Sequence, residues 1–340
     1  MQNETQMAAE CRETPNVVGR QSQGLTQPIA EFVAALSRRP PRVVVTCARG
    51  SSAHAATFGK HLIERHLGIP VSAVAPNIAA VYRQRLHLEG QLFLAISQAG
   101  RSEDIIESVI MARQSGALTA ALVNDTESPL AKTSDIMLPM MAGPELSVAA
   151  TKSFIASLAA LLQLAGSWAD NTAIQRSLDC LPERLRSAAD LDWTAALPAL
   201  SAATNLVTIG RGPTLAVARE AALKLKETCG IHAEAFSGAE FQHGPIVLVE
   251  RGFPTMLFMP TDAAAEGLKA LATDLTTKGA AVFVTGSHAG AALPTLAPDH
   301  PAADAVCLVQ TFYRLVIQIA QQRGTNVDRP PHLQKVTRTR

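Results

Sequence analysis

The chain constrains its own fold most where it repeats. Residues 42–47, RVVVTC, form a continuous apolar and β-branched run, and residues 92–97, LFLAIS, form another. Continuous runs of this kind fit strands covered on both faces, as in a parallel sheet. Each is followed by a turn of small residues and then by helix-like sequence. After LFLAIS comes QAGRSEDIIESVIMARQSG, with apolar positions at helical spacing and Gly116 as a stop. ALTAALVND then predicts a third strand, and SDIMLPM (134–140) a short fourth. Strand–helix alternation predicts a doubly wound α/β domain. The pattern then returns. NLVTIGRGP (205–213) parallels RVVVTCARG, and residues 253–287 parallel the stretch that begins at LFLAIS. We read an internal duplication, weak in identity but good in order. The boundary falls near 170–200, which gives a first domain at 31–170, a second at 190–325, and a polar, proline-paired tail at 326–340. One copy keeps the polar turn SQAGRS where the other has MPTDAA. The first half is therefore expected to bind a ligand and the second mainly to support it.

Composition narrows the function classes. A chain of 340 residues, 47% hydrophobic and 17% charged, suits a soluble globular protein of about two domains. Net charge is +1, from 30 Lys and Arg against 29 Asp and Glu, and no long basic run occurs. With aromatics at 4%, neither phosphate-backbone binding nor base stacking is indicated, so no nucleic-acid partner is expected. The five cysteines are scattered and include no CxxC pair, which reads as reduced cytoplasmic thiols rather than a disulfide frame or zinc site. The polar N-terminus has no signal-peptide character. The longest apolar run, residues 153–168, is shorter than the ~20 residues a bilayer needs and reads as a buried helix, so no membrane partner is expected.

Two stretches carry candidate chemistry. The first is ISQAGRSED, where a strand ends and a helix begins. Open α/β sheets bind ligands at the carboxyl ends of strands, and a helix N-terminus there suits an anion. Ser97, Gln98 and Ser102 supply donors, Gly100 permits close backbone approach, and the turn ARGSSAH adds Arg49, Ser51 and Ser52. Ordinary capping by Ser102 explains the pattern about equally well. Neither a P-loop nor a dinucleotide fingerprint is present. The second stretch is EAALKLKETCGIHAEAFSGAEFQHG, residues 220–244. Lys224 and Glu227, three apart, share a helix face. From spacing alone, a surface ion pair is the commoner arrangement. His243 precedes Gly244-Pro245 and lies at a turn, where a lone histidine is usually just solvated. His232 reads as a structural, partly buried histidine near the helix end.

Taken together, SQAGRSED, SVAATKSF, EAALKLKET, IHAEAFSGAEFQHGP and VDRPPHLQKVT resemble the isomerase half of glutamine–fructose-6-phosphate aminotransferase, which is built from two sugar isomerase (SIS) domains. The resemblance covers nearly the whole chain. It is closer still to shorter, stand-alone SIS-type glucosamine-6-phosphate deaminases, since SIS sequence starts almost at once after Met1-Gln2 and leaves no room for a glutaminase. It implies two tandem doubly wound α/β SIS domains behind an N-terminal helical segment (1–30). It further implies that Ser52, Ser97, Gln98 and Ser102 hold a sugar phosphate, with Ser51 and Gly100 beside them. Glu227 stands where the family has its C1–C2 proton shuttle, and His243 where it has a ring-opening histidine contributed across a homodimer interface. Lys335 stands at the tail lysine that contacts the carbonyl carbon. Lys224 and Glu220 stand at supporting positions, and Val148 at one that meets the sugar through its backbone. Ala99, Arg101 and Arg49 depart from the family pattern around the phosphate.

The implied reaction is hydrolysis of glucosamine 6-phosphate to fructose 6-phosphate and ammonia. Ring opening suits a histidine near neutral pH. One carboxylate on one face can carry the proton from C2 to C1. A lysine can stabilise developing charge, and phosphate binding orients the carbons. No metal or other cofactor is called for, and no His/Cys set has ligand spacing. A deglycase of fructosamine-type adducts or a galactosamine 6-phosphate deaminase shares this logic, and a non-catalytic sugar-phosphate sensor shares the fold.

Overall fold

The computed structural model describes residues 4–287 and 292–335. The first three residues of the predicted N-terminal segment and the last five of the tail lie outside them. The chain divides into two compact units. One holds Asn16–Glu145, Lys152–Asp179 and the segment from Gln334; the other holds the chain up to Pro15, Leu146–Thr151 and Cys180–Leu333.

The first unit is built on five parallel strands: β1 (Val44–Ala48), β2 (Val71–Ala73), β3 (Leu92–Ser97), β4 (Leu118–Val123) and β5 (Ile136–Pro139). Their order is β2-β1-β3-β4-β5. Every residue of β3 is buried, as its unbroken apolar run requires. Val45, Cys47, Phe93, Ala95, Ala121 and Val123 face a core completed by Ile105 and Val109 of the helix Glu103–Gln114. The helix Lys152–Trp168 is buried along almost its whole length, as the apolar run predicts.

The second unit repeats the plan with β6 (Asn205–Gly210), β7 (His232–Ser237), β8 (Pro254–Leu257), β9 (Ala281–Gly286) and β10 (Leu293–Pro294), all parallel. Its order is β10-β9-β8-β6-β7. Read from the other edge, that is second strand, first, third, fourth, fifth, the same as in the first sheet. The inferred duplication is therefore a duplication of topology. Val207, Ile209 and Leu257 pack on Leu268, Leu271 and Leu275 of the helix Ala265–Thr277.

The sequence pattern predicts β1, β3, β4 and β5 to within about two residues at either end, and points to β6, β8 and β9. It misses β2, β7 and β10. β2 is three residues long and β10 two, too short for any periodicity. β7 is an edge strand whose alternating His232, Ala233, Glu234 and Ala235 puts small residues where a strand usually carries bulky ones. Among the described residues, the helix Pro301–Arg323 is long and apolar enough to cross a bilayer, but 89% of its most apolar window is buried inside the fold.

Candidate active site

In the first unit, β1 and β3 lie side by side. The strand order reverses between them, which is where doubly wound sheets bind ligands. After β1 the chain passes through Arg49 and enters the helix Gly50–Leu67, whose first turn carries Ser51 and Ser52. After β3 it turns through Gln98, Ala99 and Gly100 into the helix Glu103–Gln114. The two turns that the sequence singles out thus emerge from neighbouring strands. The Gly100 N–H donates to Ser97 Oγ at 3.1 Å, and the Gly100 carbonyl accepts from Leu130 N–H at 3.1 Å. Gly100 has φ +61°, and a Cβ there would stand 2.2 Å from Ser128 Oγ. The turn therefore depends on glycine for both its backbone angle and its space.

Ser102 occupies the N-cap position, yet its side chain caps nothing. Arg49, at the same position of the other helix, makes no side-chain cap either. Neither helix start is therefore capped by the side chain at its N-cap position. This argues against the capping explanation for Ser102. The two family departures in charge are tied down by neighbours. Arg49 forks onto the buried Asp104 carboxylate, with Nε 2.8 Å from Oδ2, and Arg101 pairs with Asp125 at 2.8 Å. The positive charge they bring is largely met by carboxylates.

The tail lysine has a defined setting. Lys335 Nζ lies 3.2 Å from Glu145 Oε2. The Glu145 carboxylate is buried and also accepts from Ser153, at 3.1 Å from its N–H and 2.6 Å from its hydroxyl. Glu145 was not singled out by sequence reasoning, because nothing local marks a carboxylate whose partners lie eight positions on and at the far end of the chain.

In the second unit, the helix Thr214–Cys229 presents Glu220, Lys224 and Glu227 on one face. The exposed ion pair expected from spacing alone is not found. Lys224 is fully buried, and its ammonium is shared between Glu220, at 3.4 Å, and Glu227 in a close ion pair. Burial alone would push the Lys224 ammonium down, but the charges of Glu220 and Glu227 and their hydrogen bonds outweigh it and hold the group above its ordinary value. Glu220 is wholly buried and accepts a hydrogen bond from Tyr313 at 3.2 Å. Its carboxylate meets Lys224 and Tyr313, not solvent. Glu227 alone of the three reaches the surface, with its side chain 22% exposed.

Gly230, at φ +63°, reverses the chain into β7, and β7 leads to the short helix Gly238–Gln242. His232 is exposed at the start of β7, not partly buried as expected; the strand starts there and turns this side chain outward. His243 is exposed at the helix end, with Nδ1 2.8 Å from the Ala239 carbonyl. A carbonyl only accepts, so this contact puts the proton on Nδ1 and leaves Nε2 of the neutral ring as an acceptor. Val148, also in this unit, donates its N–H to the Asp328 carbonyl at 3.1 Å. Its neighbour Ser147 bonds the buried Glu10 carboxylate through both N–H and hydroxyl.

A family model described as the SIS domain matches residues 39–167 and 199–300. The chain belongs to the SIS domain family. It is 31% identical over 97% of its length to the glutamine–fructose-6-phosphate aminotransferase of Zymomonas mobilis, and 33% identical over 90% of its length to that of Thermotoga maritima. It spans 58% and 53% of those two proteins. Among solved structures, one from Silicibacter pomeroyi, provisionally described as a phosphosugar isomerase, is 42% identical with a TM-score of 0.91 over 96% of this SIS protein and 100% of that chain. A glucosamine-6-phosphate deaminase from Thermotoga maritima is 25% identical with a TM-score of 0.74, again over 96% and 100%. The two SIS segments contain the two clusters just described, the helix-start turns in the first and the Glu220–Lys224–Glu227 face in the second.

Proposed function

We infer that this SIS protein isomerises and deaminates glucosamine 6-phosphate, giving fructose 6-phosphate and ammonia with consumption of water. The observation that carries the reading is the buried ion triad from which Glu227 alone reaches the surface. A buried lysine clamped between two carboxylates is an expensive arrangement for a fold to keep as mere packing. It leaves one carboxylate presented with fixed direction and a permanent cation beside it. The match over the full length of a chain described as a glucosamine-6-phosphate deaminase supports the choice of substrate.

The chemistry follows from the groups. Ser52, Ser97, Gln98 and Ser102, with the N–H groups of two helix starts, bind the phosphate dianion and so fix the distance to the reacting carbons. Ser51 completes the first of these turns and Gly100 the second. His243 Nε2 accepts the O1 proton as the ring opens and returns one to O5. Glu227 takes the proton from C2 and delivers it to C1, which converts the aldose into a C2 imine. Water adds to that imine, ammonia leaves, and the ketose remains. Lys224 keeps Glu227 aimed and offsets charge as the proton moves. Lys335, steered by Glu145, offers its ammonium to the oxygen that becomes the C1 hydroxyl. The carbonyl of Val148, whose N–H is already used, is free to accept from a sugar hydroxyl.

His243 acts in the site of a second copy of the chain. Its exposure supports this, as does the apolar turn that follows it, where Val247 is 83% and Leu248 48% exposed. Exposed apolar side chains next to one another can serve as part of a contact surface.

Coupled ammonia release, without glutamine, tests the assignment on glucosamine 6-phosphate, galactosamine 6-phosphate and a fructosamine 6-phosphate adduct. Turnover of the first well above the others is expected. Preference for either of the others would move the activity to another epimer or to deglycation. A ligand-induced rise in Tm with no turnover of any would make the protein a sensor.

A further inference from the structure

The triad does not end at Glu220. Tyr313, in the middle of the helix Pro301–Arg323, is fully buried and donates its phenol O–H to Glu220 Oε1 at 3.2 Å. Four polar groups therefore run from the interior to the surface: phenol, carboxylate, ammonium, carboxylate. Three of them have no contact with solvent. Glu220 is shut off from bulk solvent, so its charge depends on buried partners such as the Lys224 ammonium and this phenol. The two carboxylates share the Lys224 ammonium. A donor on Glu220 satisfies part of its demand and leaves Lys224 freer to bond Glu227.

We propose that Tyr313 is a positioning residue for proton transfer: by hydrogen bonding Glu220 it divides the Lys224 ammonium between the two carboxylates and so holds Glu227 in place. The proposal rests on the reading of Glu227 given above. Tyr313 never meets the substrate. Its ring packs 6.5 Å from that of Phe312, measured between centroids, so removal of the hydroxyl alone leaves the packing of the helix intact.

The consequence is specific. In Tyr313→Phe, Glu220 loses a donor and draws the Lys224 ammonium toward itself. Glu227 is then less tightly held, and the C2-to-C1 transfer slows while sugar-phosphate binding is unchanged. Loss of a hydrogen bond to a charged group corresponds to about tenfold in rate.

Two measurements on the full-length protein test this. The first is exchange of the Lys224 ammonium protons, followed by nitrogen-detected NMR without ligand. It should be about tenfold slower in Tyr313→Phe, because the ammonium moves toward the fully buried carboxylate, at a Tm within a few degrees of wild type. The second is steady-state kinetics on glucosamine 6-phosphate. It should give kcat lower by about tenfold, KM within about twofold, and a larger isotope effect with the C2-deuterated sugar. Unchanged ammonium exchange overturns the proposal whether or not the protein turns the sugar over. Slower exchange with unchanged kcat also overturns it, as does faster exchange. If Glu227→Gln is as active as wild type, the reading of Glu227 falls, and unchanged or slower exchange in Tyr313→Phe then reports separately on the hydrogen-bonded chain.

Discussion

At the scale of single residues, the first-sheet turn that we propose holds the phosphate has little freedom. Gly100 combines a left-handed backbone with a Cβ direction blocked by Ser128, while its N–H bonds Ser97 Oγ. Gly100→Ala must move the turn, because neither the backbone angle nor the neighbouring side chain accommodates the methyl group. We predict at least a tenfold rise in KM for the sugar phosphate and a Tm loss of several degrees, about 1–3 kcal/mol. Titration with inorganic phosphate, read by thermal shift, checks the binding half. What the sequence could reveal here was location. SQAGRSED marks the turn, and the strand before it marks the edge of the sheet. Whether Ser102 caps its own helix was not legible, because capping and ligand binding use the same residue type at the same position. The burial of Lys224 was equally hidden. Spacing of three and four puts side chains on one face but does not say whether that face meets water. Glu145 and Tyr313 were invisible for a simpler reason: each is defined by partners distant in the chain.

At the scale of elements, strands were legible where they are covered on both faces and illegible where they are short or at an edge. β3 reads directly from LFLAIS, whereas β7 alternates charged and small residues and looks like a loop. The elements also decide what the cysteines can do. Cys47 in β1 and Cys307 in the helix Pro301–Arg323 are buried, and burial pushes each thiol up to about 12. Burial likewise raises Cys229, at the end of the triad helix, to about 11. A raised thiol pKa leaves almost no thiolate at neutral pH, so these three are poor nucleophiles. Cys11 is buried as well, while Cys180 is exposed on the helix Thr172–Ala189. Reaction of the native protein with an aromatic disulfide reagent at pH 8 should therefore release one equivalent quickly and the remaining four only on unfolding. Fast release of two or more would contradict the assignment of these thiols to the core.

At the scale of the whole molecule, the sequence repeat and the shared strand order describe one domain plan used twice and put to different uses. The first copy keeps a polar, uncapped turn after its third strand. The second keeps the ionic face of the helix after its first. That division was legible only in part, since the first half was expected to bind and the second mainly to support. On the proposed function, the second copy carries the proton-transfer carboxylate. The account as a whole stands on Glu227 moving the proton and His243 reaching a second copy of the chain. The measurement that tests both is ammonia release from glucosamine 6-phosphate by Glu227→Gln, by His243→Ala and by the two variants dissociated and reassociated together. We predict that each variant alone loses at least about a thousandfold while still being stabilised by the sugar phosphate. The mixture should recover about a quarter of wild-type activity, because half of the dimers then carry one intact pair. Turnover by Glu227→Gln near that of wild type, or a mixture as inactive as its parts, would contradict the account.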